Sequence, residues 1–506
     1  MLESFLRSPR RGGRALLVVL FVFAALLVVG GASSASSYTI GAPVLASGPS
    51  PFASCTVGGI DSDTNTPNTE VEPFVAVNPT NSSNIVGVYQ QDRWAGGGAH
   101  GLVASSSSTG GTSWAQSFAA FDACSGGTGN DAYDRASDPW VTFDPSGNAY
   151  QISLSFSADQ TTSAVLASKS TDGGLTWDAP KTLIRDSNPV NFNDKESITA
   201  DPTRSGNVYA VWDRFAVPGE NRSFNSLLHS FAFRGQPVFS RTRDGGATWS
   251  TPVPMTNANI ATIGNQIAVL PNGNLIDVFF ESRGAGVQPS PNQIFEGAMI
   301  STDAGLHWSP PISIANFVPV AGCPPEDVCD PDTNQPVRAG TNLPDIAVDP
   351  NTGAIYVVWA DGRFSGGAKA DVVLSKSTDG GKHWTTPIQL DQGSGTSQSF
   401  TPAVAVADNG AVGVTFYDFR NNTAAAGLPT DAWLETSQDG GATWAEDRLT
   451  PTSFDMEAAP VSRGFFLGDY EGLTAIGNDF LAFFSEANSG QSANATDVVS
   501  VRATAP

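Results

Sequence analysis

Ser170-Thr-Asp-Gly-Gly-Leu-Thr-Trp177 is one copy of a short pattern that recurs along this chain of 506 residues. The pattern has Ser or Thr first, Asp third, Gly fifth and Trp eighth. Asp can accept backbone N–H bonds, Gly can adopt a positive φ and Trp can pack beneath, so the pattern predicts a hairpin turn. Further copies begin at Thr242, Ser301, Ser377 and Ser437, and a degenerate copy at Ser107 has Thr109 in place of the Asp.

A second repeated element lies between these turns. It is a β-hairpin in which an apolar strand, a turn rich in Asn, Asp and Gly, and an aromatic-rich strand follow one another. Two more strands, joined by the repeated turn, complete a four-stranded unit typical of a propeller blade. The sequence therefore predicts an all-β, seven-bladed β-propeller. The hairpins begin near Pro73, Pro139, Ser197, Gln266, Pro344, Pro402 and Gly472.

The last predicted blade has no fourth strand of its own. Its first three strands fall in 472–486 and 496–503, and the chain then stops. Residues 38–46, Tyr-Thr-Ile-Gly-Ala-Pro-Val-Leu-Ala, are similar to the outer strands of other blades, such as 177–183. We expect this segment to pair with the last blade and remove an open sheet edge.

The first 35 residues have the order of a secretory signal: Arg7, Arg10, Arg11 and Arg14, an apolar run over 15–29, then small residues. They form a signal peptide or, as the open alternative, an uncleaved anchor, which would be the protein's one contact with a membrane. Residues 36–506 form the propeller domain. We expect a secreted or cell-surface protein that is a monomer.

Charge excludes some partners. The formal net charge is −23, and such a field repels the phosphate backbone of nucleic acids. The four His residues are scattered, which argues against a His-rich metal site. In an exported chain four Cys residues suggest disulfides, and we predict Cys323–Cys329 and Cys55–Cys124. Free thiols are the alternative.

Arginines follow carboxylates at the end of the second strand in five predicted blades. They either form ion pairs between neighbouring loops or bind an anionic or polyhydroxyl ligand, because Arg forks bind carboxylates bidentately. These arginines are Arg93, Arg214, Arg283, Arg363 and Arg420.

The loops that enter the innermost strands are acidic and supply candidate general acids and bases. They contain Glu70, Glu72, Asp131, Asp134, Asp138, Asp194, Glu196, Asp469 and Glu471. The segments 61–65 and 330–334 read D-x-D-x-N, half of a calcium loop, so calcium is possible there. We expect no other cofactor.

The repeated turns match the Asp box, and the chain resembles the bacterial sialidase superfamily of BNR/Asp-box proteins over about residues 60–490. The resemblance implies a sialidase-like glycoside hydrolase of the exo-α-sialidase type, cleaving terminal sialic acid or a related acidic sugar. It implies a Tyr nucleophile assisted by Glu, an Asp acid/base and an Arg trio on the substrate carboxylate. Asp469-Tyr470-Glu471-Gly472-Leu473 is similar to the family's entry into its last inner strand.

The resemblance thus assigns Tyr470 as the nucleophile, Glu196 as its partner within hydrogen-bond reach, and Asp138 or Asp134 as the acid/base. Two features depart from the family. Its early Phe-Arg-Ile-Pro motif is absent, and its enzymes usually have six blades, which makes a six-bladed sialidase-type fold the alternative architecture. The alternative function is a non-catalytic cell-surface propeller that binds glycan or protein.

Overall fold

The computed structural model describes residues 37–60, 63–188, 190–216, 234–257, 260–283, 294–322 and 328–506. The signal segment predicted for residues 1–35 lies outside them. Strands and short 3-10 turns make up the regular structure of the described residues, and no α-helix occurs among them. The all-β prediction is therefore confirmed. No helix in this part of the chain is long and apolar enough to cross a membrane.

The chain begins with two short strands, β1 (Thr39–Ile40) and β2 (Val44–Leu45). Successive antiparallel meanders of three or four strands follow, which we call units 1 to 7 in chain order. Unit 1 is β3 (Asn65–Val77), β4 (Ile85–Trp94), β5 (Ala99–Ser107) and β6 (Ala115–Ser117). Unit 2 is β7 (Arg135–Phe143), β8 (Ala149–Phe156), β9 (Ser163–Ser170) and β10 (Lys181–Asp186). Unit 3 is β11 (Asn191–Ala200), β12 (Val208–Ala216), β13 (Arg234–Thr242) and β14 (Val253–Pro254).

Unit 4 is β15 (Ile260–Val269), β16 (Leu275–Arg283), β17 (Ile294–Ser301) and β18 (Ile312–Asn316). Two short strands, β19 (Val328–Cys329) and β20 (Pro336–Arg338), precede unit 5, which is β21 (Asp345–Val348), β22 (Ile355–Asp361), β23 (Asp371–Ser377) and β24 (Ile388–Gln389). Unit 6 is β25 (Ser399–Val406), β26 (Val412–Asp418), β27 (Pro429–Ser437) and β28 (Ala445–Arg448). After β29 (Phe454–Asp455) and β30 (Phe465–Phe466), unit 7 is β31 (Gly472–Ile476), β32 (Asp479–Ala487) and β33 (Thr496–Thr504).

The N-terminal strands complete unit 7. Thr39 of β1 pairs with Thr504, and Val44 of β2 pairs with Ser500, both antiparallel to β33. The predicted pairing of residues 38–46 with the last unit is confirmed. It covers an edge of β33 that would otherwise expose its N–H and C=O groups.

The innermost strands of the units contact one another in cyclic order. Each of β3, β7, β11, β15, β21, β25 and β31 packs against the next, and β31 also packs against β3. Apolar side chains fill the spaces between neighbouring units. Between units 4 and 5, for example, Ile276, Val278, Val357 and Trp359 are fully buried in one cluster.

The innermost strands share a bulge near the same position. The register of β3, β7, β11, β15 and β25 shifts there, and the shifted residues have positive φ. They are Glu72 (54°), Asp138 (52°), Lys195 (50°), Gly264 (73°) and Thr401 (52°). A bulge changes the direction of side chains and is frequent next to functional sites. This one determines where two acidic candidates, Glu72 and Asp138, and the neighbouring Lys195 lie.

The repeated turns have the hydrogen bonds expected of them. Asp439 Oδ1 accepts the N–H groups of Ala442 (3.0 Å) and Thr443 (2.8 Å), and its Oδ2 accepts the Thr443 hydroxyl (2.7 Å). In the degenerate copy Thr109 Oγ1 takes this role and accepts the N–H of Ser113 at 3.0 Å. The Thr109 hydroxyl thus replaces the carboxylate as acceptor of one of the two N–H groups.

One small sheet was not predicted. Strands β19, β20 and β30 form it from the segments that precede units 5 and 7, and β20 and β30 pair in parallel. The predicted disulfide Cys55–Cys124 is confirmed, with Cα atoms 5.6 Å apart. Cys323 lies outside the described residues, so the pair Cys323–Cys329 stays a prediction.

Candidate functional site

A buried charge cluster lies where the inner strands of units 1, 2 and 3 meet the entry of unit 7. Lys195 Nζ is 3.2 Å from Glu72 Oε1, 2.8 Å from Asp469 Oδ2 and 3.7 Å from Asp138 Oδ2. All four side chains are largely buried. The bulges of β3, β7 and β11 bring Glu72, Asp138 and Lys195 together. Three of the acidic candidates, Glu72, Asp138 and Asp469, therefore converge on Lys195.

Two arginines adjoin this cluster. Arg338 Nε donates to Asp469 Oδ1 at 2.8 Å, and a second nitrogen of the same fork bonds Asp469 Oδ2. Arg93 and Arg338 both donate to Ser462 Oγ, at 3.3 and 3.4 Å, and both stack on the ring of Phe466. Arg338 lies in the small sheet, outside the repeats, so the sequence pattern did not single it out.

The hydroxyl of Tyr470 is hydrogen-bonded to a backbone carbonyl and not to Glu196. It donates to the carbonyl oxygen of Pro139 at 3.2 Å, at the bulge of β7. Both carboxyl oxygens of Glu196 lack a hydrogen-bond partner among the described residues. The expected Tyr470–Glu196 hydrogen bond is therefore absent, because the bulge leaves the Pro139 carbonyl outside the paired register and available to the tyrosine.

Burial is the largest cause of the shifted pKa values of Tyr470 and Glu196. It raises the pKa of Tyr470 well above its usual range, and the neighbouring carboxylates Glu72, Asp138 and Glu196 add to the rise. Burial also raises the pKa of Glu196 well above its ordinary value. A nucleophile is activated by a lowered pKa or by a base in contact with it, and the hydroxyl of Tyr470 is bonded to a backbone carbonyl.

The carboxylates beside Lys195 differ in their pKa values. Burial raises the pKa of Glu72 to about 7, against the opposing charge of Lys195. Burial acts on Asp469 in the same direction, but Arg338 and Lys195 outweigh it and hold the pKa of Asp469 well below its usual range. Such separated pKa values are found in acid/base pairs and also in structural ion networks.

The space at this site is small. A cavity of about 30 Å³ lies beside Tyr470 and is also lined by Trp140, Glu196, Asp345 and Glu471. That volume holds about one water molecule, whereas pockets for organic ligands measure roughly 300–1,000 Å³. This one cavity among the described residues is smaller than a sugar ring.

Four of the five candidate arginines form ion pairs with carboxylates. Arg214 binds Asp186 through two bonds of 2.8 and 2.6 Å, and the other three bind the carboxylate two residues before them. These three pairs are Glu281–Arg283, Asp361–Arg363 and Asp418–Arg420, and Arg420 also pairs with Glu446. The fifth, Arg93, donates to Gln90 Oε1 at 2.5 Å and to Ser462 Oγ at 3.3 Å, beside the buried charge cluster.

Asp134 and the described residues of the two calcium motifs have local partners. Asp134 accepts the N–H of Ala158 at 2.8 Å and lies at the start of β7. Of the calcium motifs, Asp61 lies outside the described residues, Asp63 pairs with Arg135 Nη2 at 2.7 Å, and Asp330 accepts the N–H of Asp332 within its own turn. Within the described ranges no group of three His, Cys, Asp or Glu residues is arranged to hold a metal ion.

No family model matches the chain, and no curated protein matches it. Solved structures that are similar include the Hadza microbial sialidase Hz136, at 15% identity over 84% of this chain and 74% of that chain, with a TM-score of 0.45. An α-L-arabinanase of Penicillium chrysogenum has 12% identity, coverages of 91% and 98%, and a TM-score of 0.43. A leech intramolecular trans-sialidase has 11% identity, coverages of 87% and 93%, and a TM-score of 0.44.

These similar structures are thus sialidases and arabinan-degrading enzymes. With TM-scores below 0.5 and identities of 11–15%, the similarities carry no assignment of activity or substrate to this chain.

Proposed function

We propose that residues 36–506 form an exported, seven-bladed β-propeller that binds a glycan or glycoconjugate without hydrolysing it. The seven blades are units 1 to 7, and the cyclic contacts of their inner strands support a closed ring. The Cys55–Cys124 disulfide fits an oxidising compartment outside the cytoplasm.

The absence of hydrolysis rests on one observation, the cavity of about 30 Å³ beside Tyr470. The groups that would act on a sugar are engaged with one another: Tyr470 with a carbonyl, Arg338 with Asp469, and Lys195 with three carboxylates. A sialic acid would have to displace Asp469 from Arg338 to place its own carboxylate there.

The glycan class rests on surface chemistry. Charged residues are only 15% of the chain, so hydroxyl and amide side chains supply a large share of the exposed hydrogen-bonding groups. Such groups suit ligands rich in hydroxyls.

A sialidase-like glycoside hydrolase is the second candidate, and the convergence of the charged residues favours it. In that function Tyr470 is the nucleophile, Glu196 assists it, Asp138 or Asp134 is the acid/base, and Arg93 holds the carboxylate of terminal sialic acid or a related acidic sugar. Strand β30, which places Phe466 beneath Arg93, would have to move to admit the substrate.

The deciding experiment combines turnover and binding. The wild type and Tyr470→Phe are assayed on fluorogenic sialosides and on a panel of neutral glycosides from pH 4 to 8, and both are applied to a glycan array. We expect no turnover and equal glycan binding by the two proteins. If the wild type hydrolyses a glycoside and Tyr470→Phe does not, our proposal is refuted and the protein is a glycoside hydrolase.

A further inference from the structure

A larger cavity lies between units 1 and 2, on the side of the molecule that carries the repeated turns. We call it the turn-face groove. It has a volume of about 530 Å³, within the range of organic-ligand pockets. Its lining comes from the hairpin between β3 and β4 and from the repeated turns of both units. It includes Asn81, Ser108, Ser113, Trp114, Thr171 and Leu175.

Hydrogen bonds of side-chain amides hold the wall of the groove, and the bond from Asn84 to Gly173 joins unit 1 to unit 2. Asn84 Nδ2 donates to the carbonyl oxygens of Ser107 (3.2 Å) and Gly173 (3.0 Å), and Asn78 Nδ2 donates to Asn84 Oδ1 (3.0 Å). Gly173 has a φ of 79°, and a Cβ there would lie 2.8 Å from the Asn84 amide nitrogen. The groove is therefore formed before any ligand arrives, which lowers the entropy lost on binding.

The lining carries almost no charge. Asp172 is its one ionisable side chain, and the repeated turn already uses the carboxylate, which accepts the N–H groups of Leu175 (3.1 Å) and Thr176 (3.0 Å). Around it are exposed hydroxyls, including those of Ser108 and Thr171. A groove of this kind, on a protein of net charge −23, favours a neutral ligand over an acidic one.

The groove also has an apolar side. The indole N–H of Trp114 donates to Ser500 Oγ at 3.2 Å, which fixes the orientation of the half-buried ring. Leu175 is 56% exposed and also lines the groove. A fixed aromatic ring beside hydroxyl and amide groups matches a pyranose, which presents C–H groups on one face and hydroxyls around its edge.

We propose that the turn-face groove binds one or two neutral sugar residues. This inference rests on the proposed function in that it locates the glycan-binding site and narrows the ligand to uncharged saccharides. It places that site on units 1 and 2, separate from the charge cluster around Lys195.

The test is calorimetric titration with neutral disaccharides, namely maltose, lactose and cellobiose, with sialyllactose as the acidic comparison. Thr171→Arg puts a long side chain into the groove from an exposed turn position. Thr378→Arg is the matched control, because Thr378 is exposed at the same position in the turn of unit 5. We expect Thr171→Arg to raise the Kd for a neutral sugar at least tenfold, and Thr378→Arg to change it less than twofold. Unchanged melting temperatures verify that both variants fold.

The results of this titration distinguish a failure of the groove as binding site from a failure of the proposed function. If Thr171→Arg leaves the binding of neutral sugars intact, or if the protein binds only sialyllactose, the groove is not the binding site. The proposal of a glycan-binding propeller would remain in either case. No binding of any sugar here, and none on the glycan array, overturns both.

Discussion

Asp244, Asp303 and Asp439 accept several hydrogen bonds from their own turns, and these bonds lower the pKa of each carboxyl to about 2. The unfolded value is about 3.9. A carboxyl with a lowered folded-state pKa stabilises the fold above the unfolded pKa, and this contribution is lost as the pH falls towards 2. We therefore expect the free energy of unfolding to fall between pH 4.5 and pH 2.5.

Asp439→Asn should make that fall smaller, since one titrating turn carboxylate is removed. Urea unfolding at half-unit pH steps measures the slope. Asp408→Asn, at an exposed aspartate of another turn, removes the same charge and is the charge-matched control. Equal slopes for wild type and Asp439→Asn would contradict the expectation.

For Asp277 we predict the opposite dependence of stability on pH. It is fully buried on β16, and neither carboxyl oxygen has a hydrogen-bond partner within the described residues. Burial raises its pKa well above the ordinary value, so the fold loses stability as the pH rises through the range between the unfolded and folded pKa values.

Asp277→Asn should therefore stabilise the protein more at pH 8 than at pH 4, by about 1.4 kcal/mol or more, because the amide has no ionisation that burial must suppress. Thermal unfolding at the two pH values checks this. A lower melting temperature of the variant at pH 8 would show that Asp277 has a stabilising partner.

The sequence predicted part of the candidate site. Asp138 lies near the start of the inner strand of unit 2, and Tyr470 lies just before the inner strand of unit 7. Because the inner strands of a propeller surround one axis, the repeat predicts that the two residues lie near each other. Arg338 could not be found in this way, because it lies in a segment that no other unit contains. The ion pair of Arg363 could be predicted from the sequence, since Asp361 lies two residues earlier. Arg283 and Arg420 also have a carboxylate two residues earlier, so their ion pairs could be predicted in the same way.

Strands β1 and β2 show how short elements can matter to a large fold. They contribute four paired residues, yet they cover the edge of β33. A chain that starts at residue 47 should have a lower melting temperature than one that starts at residue 37, and should aggregate on heating because β33 is exposed. Differential scanning calorimetry with light scattering compares the two. Equal melting curves would show that the pairing adds no stability.

Long hairpins were predictable, and very short strands were not. The alternation of apolar residues and the Asn-Thr-Gly turn identify β21 and β22 without any structure. Strands β19, β20 and β30 have two or three residues each, too few for a periodic pattern. Their parallel pairing joins segments that are far apart in the chain.

At the scale of the whole molecule, the formal net charge of −23 produces mutual repulsion in the folded state. Added salt screens that repulsion, with a Debye length of about 30 Å at 0.01 M and about 10 Å at 0.1 M. The melting temperature at pH 8 should therefore rise from 10 to 300 mM NaCl. At an acidic pH where the net charge is near zero the rise should vanish. A salt effect of equal size at both pH values would contradict this explanation.

The pairing of the first described strands with the last strand also fixes the order of events during biosynthesis. Val44 and Ser500 are 456 residues apart. At about 5–20 residues per second of translation, β2 waits roughly 20–90 s for its partner. The early segment therefore stays without its partner strand until β33 has been synthesised, and a nascent chain that ends before β33 cannot form this pairing.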